Sequence, residues 1–129
     1  MTIEEALRDR LETITGLENK VFPLSAKKGT SAPYVIYVGH VGRNNKSIDG
    51  SSLMYEVPIE INILHNKYRL LKEMVRAIVN ALENINVTHL LGTLSIQEVV
   101  IEDSNTEVYE HQVDMYRSIL NTTFYLEEV

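Results

Sequence analysis

The chain of 129 residues carries 44% hydrophobic and 23% charged residues, a formal net charge of -6 and no cysteine. That size and composition predict one soluble globular domain over residues 1–129, and the missing thiols exclude a disulfide framework, a thiolate zinc site and a cysteine nucleophile. The acidic balance argues against a dedicated nucleic-acid binder, no run of about 18 apolar residues suggests a membrane span, and MTIEEALRDR lacks the basic-then-apolar plan of a signal peptide.

Thr2-Ile3-Glu4-Glu5 has the form of a capping box, which starts a helix. Ile3, Ala6, Leu7, Leu11 and Ile14 then recur at helical spacing, opposite Glu4, Glu5, Arg8, Asp9 and Glu12, until Gly16 ends the pattern. Val21-Phe22 reads as a short extended segment stopped by Pro23. Pro33 biases Ala32 towards extended geometry and opens a strand over residues 34–38. The loop between them, SAKKGTS, has the residue types of a phosphate loop in the wrong order, since the lysines precede the glycine and a strand follows.

A polar connection with Gly42, Asn44, Asn45, Asp49 and Gly50 leads to a strand in which Val57, Ile59, Ile61 and Ile63 alternate with Glu56, Pro58, Glu60 and Asn62. Residues 34–64 therefore read as a long hairpin, with Pro58 pointing to an unpaired edge. Asn66 is the expected cap of a second helix reaching about Ile85, with a stripe of Leu71, Met74, Val75, Ile78, Leu82 and Ile85. Further strands are expected at 94–101 and 116–126, separated by an acidic connection around 103–112. The predicted fold class is α+β: a mixed, mostly antiparallel sheet of about four strands with two helices packed on one face.

Catalytic chemistry finds little footing. His40, His65, His89 and His111 lie too far apart in sequence to form a local ligand pair, and Glu56 and Glu60 share the wet face of a strand, where nothing raises a carboxyl pKa. Glu102-Asp103 is a second, solvated carboxylate pair. No nucleophile elbow, dinucleotide fingerprint or other cofactor motif is present, so no catalytic, cofactor or metal residue is assigned. Seven tyrosines against two phenylalanines suit either a subunit contact or the rim of a sheet. Charge is segregated: Lys20, Lys27, Lys28, Arg43 and Lys46 occupy a stretch without acids, and Glu98, Glu102, Asp103, Glu107, Glu110 and Asp114 a stretch without bases. Such a division suits head-to-tail contact between identical copies, or simply solvated loops of either sign.

The order of a short N-terminal helix, VFPLSAKKGTSAPYVIY, a polar stretch with SIDGSS, YEVPIEINIL and KYRLLKEMVRAIVNALE resembles the tail-completion family of tailed bacteriophages and prophages, over roughly residues 1–85. Phe22-Pro23 and Pro33-Tyr34 match its aromatic-proline and proline-aromatic pairs. The resemblance implies a structural protein, not an enzyme, that caps the tail tube as a hexameric ring, ends its polymerisation and offers a surface to the head. Its implied partners are further copies of itself, the major tail tube protein and a head connector or neck protein. Its implied place is the head-proximal end of the virion tail, reached from the host cytoplasm during assembly. Lys27, Lys28, Arg43, Lys46, Asp49, Glu102, Asp103, Glu107 and Glu110 are the candidate contact residues. A head-completion or neck role is the alternative within virions; a small cytoplasmic ligand-binding regulatory domain using the open sheet face is the alternative from another class.

Overall fold

The computed structural model describes residues 2–26, 29–39, 43–46, 53–102, 106–111 and 114–127. The Thr2 hydroxyl accepts the Glu5 backbone N–H at 3.1 Å, and helix α1 runs Ile3–Glu12 with Ala6, Leu7 and Leu11 buried. It ends earlier than Gly16 because Thr13 turns its hydroxyl onto the Arg10 carbonyl at 2.6 Å; Gly16 instead closes the following turn at φ +97°.

The strands are β1 (Val21–Pro23), β2 (Tyr34–Gly39), β3 (Arg43–Lys46) and β4 (Leu53–His65), then, after helix α2 (Tyr68–Thr88), β5 (Leu90–Leu91), β6 (Leu94–Ile101), β7 (Thr106–Glu110) and β8 (Met115–Glu127). The fold is α+β, but among the described residues the sheet has eight strands where about four were expected. The extra strands β3, β5 and β7 are two to five residues long. RNNK and TEVYE look like polar connections, because a short edge strand need not alternate. Residues 106–110 are thus not simply an acidic link: as β7 they pair antiparallel with β8.

The sheet order is β1-β2-β4-β8-β6-β5, with β3 also on β4 and β7 also on β8, and the sheet curls into a half-barrel. Only β1–β2 is parallel; the other described pairings are antiparallel. The connection from β4 through α2 to β6 joins parallel strands, with β8 lying between them. Pro58 does not mark a free edge. β4 is central, with β8 along one side and β2 and β3 end to end along the other, and Pro58 falls between the β3 ladder, which ends at Glu56, and the β2 ladder, which begins at Ile59.

Alternation in β4 places Val57, Ile59, Ile61 and Ile63 on one face, opposite Phe124, Thr122, Leu120 and Ser118 of β8, and all eight are buried. Leu71, Val75, Ile78, Leu82 and Ile85 of α2 cover them together with Leu7 and Leu11 of α1. Each fully buried large apolar side chain is worth about 1.5–3 kcal/mol, so this layer holds the fold. Asn66 is not the cap of α2. Lys67 occupies that position without a side-chain bond, and the Lys67 N–H is taken by Nδ1 of His65, the last residue of β4, at 3.2 Å. The helix-free face is not uniformly wet either: Tyr34, Asn62 and Leu64 are buried in the curl.

Candidate functional site

The first turn of α2 and the β7–β8 hairpin bring together side chains distant in sequence. Tyr109 and Tyr116 are cross-strand partners, so their rings share the helix face at 4.9 Å between centroids, and Tyr68 meets Tyr116 edge-on at 5.5 Å. His111 meets Tyr109 edge-on at 4.8 Å. The Lys72 ammonium stands 2.6 Å from Glu107 Oε2 and 5.4 Å from the Tyr68 ring centroid, while the Tyr68 hydroxyl donates to Glu107 Oε1 at 3.2 Å. This bonding to Lys72 holds the Glu107 carboxyl below the usual carboxylate range and, in turn, the Lys72 ammonium above the usual lysine range. The Tyr109 hydroxyl donates to Asp114 at 3.1 Å, which raises its pKa. Arg117 forms an ion pair with Glu110 at 3.1 Å. The open depression beside them measures about 210 Å³, small for a drug-sized ligand, and the Glu107 carboxylate on its wall is already engaged by Tyr68 and Lys72.

The sheet edges differ in how they are finished. Along the outer side of β6, Asn86 of α2 donates to the Val99 carbonyl at 2.9 Å and accepts the Val99 N–H at 2.7 Å, standing in for a neighbouring strand. His89, the left-handed cap residue of α2, receives the Ile96 N–H on its carbonyl at 2.9 Å, and its Nδ1 lies 3.1 Å from the carbonyls of Ile96 and Gln97. Two acceptors around one nitrogen require that nitrogen to carry the proton. The edge strand β1 is three residues long and ends in Pro23, which has no N–H. β3 and β7 each pair on one side only among the described residues, and β7 leaves Val108 and Tyr109 exposed, at 42% and 38%.

The expected contact residues divide accordingly. Lys27, Lys28, Asp49 and Asp103 lie outside the described residues. Arg43 and Lys46 are the end residues of β3, and Glu107 and Glu110 lie on β7. Glu102 is exposed just past β6, its N–H bonded to the Asn121 carbonyl at 3.0 Å. The acidic stretch is not simply solvated, because Lys72 and Arg117 reach two of its carboxylates from elsewhere. Phe22 and Pro23 pair in register with Ile36 and Tyr37, Pro33 precedes buried Tyr34 at the start of β2, and Lys20 Nζ ties the connecting loop by donating to the Ser31 carbonyl at 2.8 Å. Sequence reasoning gave Asn86 no role and weighed His89 only as a metal ligand, not as a residue that closes a sheet edge. The only signal was a helix pattern whose polar residues continue to the start of the next strand.

No protein-family model and no curated protein matches the sequence. The fold is similar to that of a chain in the solved structure of a "Virion of native gene transfer agent (GTA) particle", with a TM-score of 0.72 over 98% of this chain and 95% of that one, at 14% sequence identity.

Proposed function

We propose that this chain is a non-enzymatic structural component of a phage-like virion and, within it, the ring that caps the tail tube, ends its growth and presents a surface to the head. The observation that carries the reading is a shared fold over nearly the full length of both chains, the other belonging to a virion. The order of motifs over residues 1–85 independently suggests the tail-completion role. The tyrosine-rich rim around Tyr68, Tyr109 and Tyr116 and the exposed edge of β7 supply the mixed apolar and polar surface that assembly contacts use. A ring of identical copies works here by surface complementarity: one face imitates an incoming tube subunit, and the other declines the next.

Deleting the gene from the genome that encodes the particle and imaging the products by negative stain tests the proposal. Overlong or irregular tails that fail to join heads are expected, with rescue by the wild-type gene in trans. Tails of normal length beside unjoined, leaking heads would move the role to the neck, and fully normal particles would overturn a virion role.

A further inference from the structure

Among the described residues β3 and β7 each pair on one side only, and these two edges are complementary in charge. β3 carries Arg43 and Lys46 three residues apart, and β7 carries Glu107 and Glu110, also three apart. We propose that adjacent copies join edge to edge, β3 of one copy pairing antiparallel with β7 of the next in the register Arg43↔Glu110, Asn44↔Tyr109, Asn45↔Val108, Lys46↔Glu107. The inference rests on the reading of the chain as a self-associating virion component and identifies the strands that would join its copies.

The register follows from face parity. Arg43 pairs with Glu56, which places it on the helix-free face, and Lys46 pairs with Leu53, which places it on the helix face. Glu110 pairs with Met115 on the helix-free face, and Glu107 pairs with Ser118 on the helix face. Residues directly opposite on neighbouring strands share a face. The antiparallel register therefore sets both opposite charges together while keeping the helices of both copies on one side of a continuous sheet. A parallel arrangement that matched Arg43 with Glu107 would put the helices of adjacent copies on opposite sides.

The occupant of each edge is set by the other. Glu107 and Glu110 already meet Lys72 and Arg117, but a carboxylate has about four acceptor positions and can take a second cation. Glu102 and Asp114 keep carboxylates in excess around β7. Main-chain bonds supply the affinity of such strand addition, and the charges set partner and register. Because β3 lies at the 53–56 end of β4 and β7 at the opposite end and far side of the β4–β8 pair, the contact is heterologous, the kind that closes into a ring or continues as a filament.

The absence of native cysteine makes disulfide trapping clean. Asn45→Cys with Val108→Cys places one thiol on each strand, opposite each other between copies. Within one copy β4 and β8 intervene, and three strand spacings, about 14 Å, are too far to bridge. Particles purified from a deletion strain complemented with N45C/V108C and then oxidised should give a ladder of disulfide-linked multimers of this chain on a non-reducing gel. The control N44C/V108C, with its thiols on opposite faces, should give at least tenfold less. Particles that contain the double-cysteine chain without multimers, or a Val108→Cys link to a different protein, would overturn the interface while leaving the capping role standing; absence of the wild-type chain from particles would overturn the capping role itself. Should either cysteine variant fail to fold by circular dichroism, charge reversal decides: R43E/K46E should lose incorporation at least tenfold, and adding E107K/E110K in the same chain should restore it. Incorporation unchanged in R43E/K46E would overturn the pairing.

Discussion

Asn86 offers the sharpest test of how this fold is closed. Its amide satisfies both main-chain groups of Val99, donating to the carbonyl at 2.9 Å and accepting the N–H at 2.7 Å, on the side of β6 that faces away from Phe124 of β8. Val99 is only 3% exposed, so Asn86→Ala leaves two main-chain groups short of partners. An unpartnered buried group costs about 1–3 kcal/mol, and some water entry through the truncated site brings the expected loss to about 2–4 kcal/mol in all. Urea unfolding should show the midpoint falling with the slope unchanged. Asn86→Asp separates hydrogen bonding from packing. It keeps the acceptor for the Val99 N–H but turns a carboxylate oxygen on the Val99 carbonyl, an arrangement that disfavours the charged form and raises the folded pKa above the unfolded one. With that sign, the penalty is complete above the folded pKa and disappears as pH falls below about 4, where the protonated acid can donate. An Asn86→Ala cost below about 0.5 kcal/mol, or an Asn86→Asp deficit that does not change with pH, would refute the edge-sealing role.

Phe124→Ala, which empties a fully buried site between Val57 and Val99, should cost about 3–5 kcal/mol in the same assay; a loss under about 1 kcal/mol would mean that the layer can collapse around it. Thr122→Val should cost only about 1 kcal/mol, since the methyl keeps the volume and only the 2.7 Å bond to the Ile59 carbonyl is lost. Gly16→Ala should cost about 1–2 kcal/mol, because a Cβ is disfavoured at φ +97°, and a neutral result would contradict that turn. The Lys72–Glu107 pair has two opposite pH signatures. The depressed Glu107 pKa contributes stability above the ordinary carboxylate range that is lost as pH falls through the folded value, whereas the raised Lys72 pKa contributes below the ordinary lysine range and is lost as pH rises through its folded value. Carbon-13 NMR titration checks both, and Glu107 titrating at or above the usual carboxylate pKa would exclude the contact in solution.

What the sequence disclosed follows from where periodicity is imposed. The alternation of Val57, Ile59, Ile61 and Ile63 and the α2 stripe from Leu71 to Ile85 were legible because burial on one side forces a period of two or of 3.6. Thr2 was legible as a cap because its hydroxyl acts three residues away. The Asn66 assignment failed for a related reason: the residue type is right, but the His65 ring already takes the Lys67 N–H and the helix begins one residue later. β3 and β7 were hidden because each is a short strand at a sheet edge, where alternation is not enforced. The ion pairs of Glu107 and Glu110 were hidden too, since Lys72 lies 35 positions from Glu107 and Arg117 reaches back only once β7 and β8 fold together. Charge segregation marked Arg43, Lys46, Glu107 and Glu110 without showing that they lie on strands.

An exposed sheet edge invites pairing with other chains, and most proteins blunt theirs. This fold blunts some edges and leaves others. β6 is sealed by Asn86 and His89 at the end of α2, β1 is three residues long and ends in a proline, and β5 is two residues long. Each device answers the same physical problem, unpaired main-chain donors and acceptors facing outward. The pattern cannot be a general tolerance of open edges, because α2 supplies side chains to close one. What remains is β3 and β7, among the described residues the edges on which opposite charges recur at the same spacing. Charge on an edge strand ordinarily serves to repel indiscriminate pairing, since a strand bearing two like charges disfavours a copy of itself. The same charges accept one complementary strand. Copies joined as proposed need both properties in one surface, so β3 should refuse β3, β7 should refuse β7, and each should take the other.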